Sequence, residues 1–269
     1  MPNRPCSTAK ILLSVYVIFN LAACGTMRNG KSWGEDATIF PSTQRISHAA
    51  KNALTHPATW GPLSGAALFA ISDFDEQVSD NLCDHNPLFG SQQNADHRSD
   101  TLRDTLLASV VISALATPSG DESQWTINKT KGFLVELAAL SVTSSATSGI
   151  KNLAARERPN TTDDKSFPSG HSSAAFAAAA LTSRNLDSIA MDNDTRTGIR
   201  AALYTLAAGT AWARVEAHVH YPSDVLAGAA LGNFLARFIH DAFLGLDNDT
   251  QLEINAHAKY ARIGLQWRF

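Results

Sequence analysis

The sequence predicts an all-α fold, a compact helical bundle with a short C-terminal β strand or hairpin. Three observations carry that expectation. Seven apolar stretches, at about 46–54, 60–71, 101–117, 133–155, 172–181, 199–215 and 223–244, are dominated by Ala, Leu and Ser. Ala is the strongest helix former, and β-branched residues are sparse in these stretches outside 109–113. The breaks between them carry helix-stopping chemistry: Pro118-Ser119-Gly120, Pro159-Asn160, Pro168-Ser169-Gly170 and Pro222. Only the tail changes period, because Ile263-Gly264-Leu265-Gln266-Trp267-Arg268-Phe269 alternates apolar and polar residues as a half-buried strand does.

The front end reads differently from the rest. Arg4 and Lys10 precede an uncharged apolar run at 11–23, and no acid occurs before Glu35. That run is shorter than the roughly 20 residues a membrane helix needs and fits the hydrophobic region of a secretory signal. Leu21-Ala22-Ala23-Cys24 resembles the lipobox of bacterial lipoproteins. The resemblance implies cleavage before Cys24, acylation of Cys24 and, with Gly25 next to it, a destination on the periplasmic side of the outer membrane. Cys6 would leave with the leader and Cys24 would be acylated, so Cys83 has no partner for an intramolecular disulfide. The expected organisation is a signal peptide at 1–23, the lipidated Cys and a flexible tether at 24–45, a helical domain at 46–245, and a tail with the strand at 246–269.

The apolar stretches are expected to form a buried helical core rather than membrane spans. The longest uncharged pieces, 137–150 and 201–213, fall short of a spanning helix. A mean hydropathy of −0.11 is also low for a chain built mostly of spans. With 22 basic against 25 acidic residues, the charge balance excludes a nucleic-acid binder that works by bulk charge. An apolar content of 44% rules out wholesale disorder.

Three clusters carry chemistry. In the first, Lys151 and Arg158 are seven residues apart, two helical turns, and so share a face if the helix runs to its end. Pro159 biases Arg158 into the exit turn instead. In the second, Pro168-Ser169-Gly170-His171 opens an Ala-rich helix. The free N–H groups there, the Ser169 hydroxyl and the open backbone at Gly170 form an anion site, and His171 can supply a proton. The third holds Arg214, His220 and Asp224. Asp224, four residues after His220 and in the first turn of the next helix, can hold one imidazole nitrogen and leave the other as a nucleophile.

Together the clusters resemble the three-part signature of the type 2 phosphatidic acid phosphatase superfamily, which includes bacterial acid phosphatases, lipid phosphate phosphatases and vanadium haloperoxidases. Ten of its eleven fixed positions are present: Lys151, Arg158, Pro159, Pro168, Ser169, Gly170, His171, Arg214, His220 and Asp224. The departure is Ala213, where the family usually has Ser. The resemblance implies that His220 attacks phosphorus and that Asp224 stabilises the resulting imidazolium. It implies that His171 protonates the leaving group and that Lys151, Arg158, Ser169, Gly170 and Arg214 bind the phosphate. It also implies no metal or other cofactor, and a phosphorylated small molecule or a lipid phosphate as substrate. Two other readings start from the same residues: a vanadium-dependent haloperoxidase, or a non-catalytic envelope lipoprotein that retains the fold.

Other polar features are expected to be bland. The acidic run at 73–84 reads as a helix end and loop, the pairs Asp84-His85 and Asp96-His97 as solvated loop, and His218 as a surface neighbour of the third cluster. The pattern leaves the oligomeric state open.

Overall fold

The computed structural model describes residues 25–71 and 74–245, and the backbone of 250–257 and 260–267. The expected leader, Cys24 and Phe269 lie outside the described residues. Among the described residues eight α-helices follow one another: α1 (Thr43–Thr55), α2 (Pro57–Ala70), α3 (Phe74–His85), α4 (Gln92–Ala116), α5 (Glu122–Ala154), α6 (Gly170–Ser188), α7 (Asn193–Glu216) and α8 (Pro222–Ile239). A single π-helical turn, His240–Leu244, continues α8. Side chains of Ser42, Ser91, Asp121, Ser169 and Asp192 cap the first turns of α1, α4, α5, α6 and α7. Each satisfies a backbone donor that has no partner within its helix.

Helix α6 is the axis of the bundle, with α4, α5, α7 and α8 packed around it. It is buried on every side because its middle is small: Ala175, Ala177, Ala178, Ala179 and Ala180 are all 0% exposed. Helix α8 approaches it most closely. A Cβ on Gly228 would stand 2.5 Å from the Ser169 carbonyl oxygen, and one on Gly232 would stand 2.1 Å from that of Ser173. Neither position has room for any other residue. Leu106 and Val110 of α4, Leu203 of α7 and Val225 of α8 complete the core around α6.

The expected helices are present, and most are longer than their apolar stretches. The added turns are polar first turns such as 92–100 of α4 and 122–132 of α5, which hydrophobic periodicity does not register. Helix α3 occupies the acidic run expected to be a helix end and loop. Its buried positions, Asp75, Ser79 and Cys83, are spaced four apart but only Cys83 is apolar, so they leave no hydrophobic stripe. Helix α5, at 33 residues, is the one described helix long and apolar enough to cross a membrane. Its buried side contains Lys129 and Glu136, whereas its exposed side chains between Leu134 and Gly149 carry no charge.

Residues 25–41 are irregular, as expected of a tether, yet they are strapped to the body. Gly25 and Gly120 exchange backbone hydrogen bonds of 3.2 and 2.8 Å, and the Trp33 N–H donates to the Pro118 carbonyl at 2.8 Å. Trp33 is 0% exposed. Its ring lies where a Cβ on Gly132 would fall, 2.0 Å away, and stands edge-on to Phe133. The Lys129 ammonium sits 5.2 Å from the centre of that ring and donates to the Ala114 carbonyl at 2.6 Å. In the tail, β1 (Thr250–His257) pairs antiparallel with β2 (Tyr260–Trp267), the hairpin form of the expected strand.

Candidate active site

The N-termini of α6 and α8 and the C-termini of α5 and α7 meet at one end of the bundle, with the first half of α4 beside them. Tyr221 precedes Pro222 at the start of α8, and its N–H donates to Asp224 Oδ2 at 2.9 Å. The Ser169 N–H donates to the Asp224 carbonyl oxygen at 2.9 Å, which pins the loop before α6 to the first turn of α8. The second and third clusters are thereby held together by main-chain bonds.

His220 and Asp224 are buried, 2% and 0% exposed. His220 Nδ1 lies 3.7 Å from Asp224 Oδ2 and has no hydrogen bond of its own. The Asp224 carboxylate also accepts from Ser166 Oγ at 2.5 Å and from Arg156 Nη1 at 2.8 Å. Burial works to raise its pKa, but the nearby His220, the hydrogen bond from Ser166 and the charge of Arg156 outweigh burial, so the carboxyl lies below the usual range. Burial pushes the His220 pKa down to about 4, with Arg214 adding to the shift and Asp224 opposing it. The imidazole is therefore neutral at pH 7, as a nucleophile must be.

The cations converge from three elements. Lys151, in the last turn of α5, donates to the Lys165 carbonyl at 2.5 Å, and burial followed by the charge of Arg158 lowers its pKa to about 8. Helix α5 stops before it could carry Arg158 on the same face. Ala155 turns left-handed at φ 43°, so Arg158 lies in the exit loop, where its Nε donates to Asp163 Oδ1 at 2.7 Å. Arg214, in the last turn of α7 and 6% exposed, pairs with the Asp96 carboxylate and donates to Ser99 Oγ at 3.0 Å. Its Nε is buried without a hydrogen bond. Ser169 caps α6 and Gly170 is its first residue, so the first-turn N–H groups point out of the helix end toward this space.

His171 faces α4. Its Nε2 lies 2.7 Å from Asp100 Oδ1 and 2.6 Å from Arg103 Nη1. Burial, with help from Arg214 and Arg103, lowers its pKa to about 4 against the pull of Asp100. The structure thus gathers all eight expected site residues at one end of the bundle. His218, expected at the surface, is half-buried and reaches Asp80 of α3 at 3.2 Å. Asp84-His85 and Asp96-His97 are helical rather than loop. Among the described residues, no three His, Cys, Asp or Glu side chains come together as a metal site.

Sequence reasoning missed a second layer. Asp96, Asp100 and Arg103 stand at helical spacing on α4 and meet Arg214 and His171, a periodicity of charges that apolar patterning overlooks. Arg156 bridges Asp224 to Asp75 of α3 at 2.8 Å on each side, and its guanidinium lies 4.1 Å from the centre of the Tyr221 ring. Asp75 in turn accepts from the Ser223 N–H at 2.8 Å.

A family model for the PAP2 superfamily matches residues 132–245. Over that segment the chain is similar to the superfamily. Comparisons with curated proteins and with solved structures found no match. The PAP2 segment contains every residue of the three clusters, whereas Asp75, Asp96, Asp100 and Arg103 come from helices that precede it. Ala213, which stands where the PAP2 signature usually has Ser, is 0% exposed. The match supports phosphatase-type activity in general.

Proposed function

We propose that the protein is a phosphatase that hydrolyses phosphomonoesters or lipid phosphates through a phosphohistidine intermediate, without a metal. The observation that carries this reading is the buried, neutral His220 beside Asp224, among the cations Lys151, Arg158 and Arg214.

In the proposed first step the free imidazole nitrogen, Nε2 of His220, attacks phosphorus. The new P–N bond forms as the P–O bond to the alcohol breaks, and His171 gives its proton to the leaving alkoxide. Asp224 balances the positive charge that develops on the imidazole. In the second step His171 takes a proton from water, the hydroxide displaces His220, and phosphate leaves. Lys151, Arg158, Arg214, the Ser169 hydroxyl and the Gly170 N–H surround the equatorial oxygens, where transition-state charge accumulates. Asp96 and Asp163 hold Arg214 and Arg158, and a bound phosphate competes with these carboxylates for them.

The lipobox-like stretch 21–24 supports a further part of the proposal, anchoring through Cys24 on the periplasmic side of a bacterial outer membrane. Incorporation of labelled fatty acid that disappears in Cys24→Ser tests it.

The main test is phosphate release with chelator present, on p-nitrophenyl phosphate, nucleotides and lipid phosphates, with His220→Ala beside the wild type. Chelator-resistant turnover is expected, together with a base-stable, acid-labile phosphoenzyme in alkali-quenched wild type and none in the variant. A folded wild-type protein inert on every substrate overturns the proposal.

A further inference from the structure

A groove opens from the catalytic end and runs between α4 and α5, with α6 as its floor. It has a volume of about 380 Å³. Lys151 and Gly170 line its mouth, so it is continuous with the site where the phosphate is proposed to bind. Beyond them the lining passes Ser148 and Ser144 and reaches Leu140 and Leu107. The gap exists because α4 and α5, adjacent in sequence, barely touch along their lengths while both pack on α6.

Two properties of this groove select an occupant. Its charge is confined to the mouth, because Lys151 is the one charged residue in the lining, and every other lining residue is Ser, Thr, Gly, Ala or Leu. A ligand that fits carries its anion at one end and an uncharged, largely apolar remainder. From Lys151 to Leu140 the helix advances about 16 Å. That length, with a volume at the lower end of the range for small-molecule sites, suits one chain rather than two.

The geometry points to this groove as the seat of the leaving group, and to single-chain amphiphilic phosphomonoesters as the preferred substrate class. The inference rests on the phosphatase reading above. The phosphate engages Lys151 and the α6 N-terminus while the alkyl chain lies along α5, past Ser148 and Ser144 to Leu140 and Leu107. Specificity then comes from α4 and α5 rather than from the phosphate site. The exposed position of Ser144 makes it a place to block the groove without touching catalytic groups.

The experiment measures kcat/KM of the full-length chain for n-alkyl phosphates from ethyl to dodecyl, each below its critical micelle concentration. The same chain lengths as non-hydrolysable alkyl phosphonates are titrated in binding measurements. Burial of each methylene is worth about fourfold in kcat/KM, so the series is expected to climb at that slope until the groove is full and then level off. Phosphonate affinity should follow the same curve. Ser144→Trp is expected to flatten both series while leaving ethyl phosphate turnover within about twofold, and Ser144→Ala should behave as wild type. Turnover that is flat with chain length, or a Ser144→Trp variant that loses activity equally on all lengths, overturns the groove assignment and leaves the phosphatase reading intact. Phosphonates that bind with the expected length dependence beside alkyl phosphates that are not hydrolysed sustain the groove and overturn the phosphatase reading. Phosphonates that show no length dependence overturn the groove whatever the turnover.

Discussion

Replacing Arg156 by Gln tests whether the second layer of charges holds Asp224 in place. Arg156 donates to Ser223 Oγ at 2.7 Å, to Asp224 Oδ1 at 2.8 Å and to Asp75 Oδ2 at 2.8 Å. Asp224 and Asp75 are 0% and 4% exposed, so the variant leaves two buried carboxylates without their shared cation. Breaking a buried pair from one side costs about 3–5 kcal/mol. The Arg156 side chain is 32% exposed, which lets water take over part of its role, so the lower end applies, about 3 kcal/mol. For a domain of this size that is a fall in Tm of roughly 6–12 °C. Asp224 also loses a charge that keeps its carboxyl ionised, so the acid limb of the kcat profile should move to higher pH. Arg156→Lys should recover only part of each effect, because an ammonium cannot bridge two carboxylates in the fixed plane of a guanidinium. Thermal unfolding and kcat between pH 3 and 7 read both quantities. A Tm within 2 °C of wild type together with an unmoved acid limb would show that Arg156 is peripheral, and the reasoning would fail.

Further expectations follow from the same geometry. His171 must be protonated to act as acid and His220 neutral to attack, and both have pKa values of about 4, so kcat/KM should rise as the pH falls from 7 toward about 4; an optimum above pH 7 contradicts the assigned roles. Stability should run the other way. His220 takes up its proton near pH 6.5 when unfolded but only near pH 4 when folded, so stability is full above 6.5 and is lost on the way down to 4. That amounts to about 2 kcal/mol by pH 5, visible in denaturant midpoints. Asp100→Asn removes the carboxylate that raises the His171 pKa, and kcat/KM at pH 6 should fall about tenfold, the profile shifting to lower pH with KM little changed; superimposable pH profiles would reduce Asp100 to a packing residue. Trp33→Ala should cost about 3–5 kcal/mol while leaving kcat/KM nearly intact, because the ring is fully buried at the end of α5 remote from Lys151; an unchanged Tm would mean that residues 25–41 are a free tether after all.

What could be read from the sequence divides along a physical line. The site's eight residues were legible because chemistry fixes their spacing: a helix N-terminus needs Ser169 and Gly170 together, and an Asp in the first turn after His220 lies within reach of it. The core was legible where burial coincides with apolar composition, as in the Ala run of α6. It was not legible in α3, whose buried face of Asp75, Ser79 and Cys83 has no large apolar side chain, and whose Asp75 serves Arg156 and the start of α8. The same holds for the first turns of α4. Their inward residues Ser99 and Asp96 serve Arg214, so they show no apolar period. Arg156 left no local trace at all, since its partners lie about seventy to eighty residues away on either side.

The bridge between Gly25 and Gly120 sets the polarity of the molecule. The chain leaves the body beside the first turn of α5, and Lys151 stands in the last, about 44 Å further along the axis. Point of departure and catalytic mouth are opposite poles joined by one rigid rod. Gly25 is tied to the body by its two backbone bonds, so these two ends cannot approach one another while α5 stays straight.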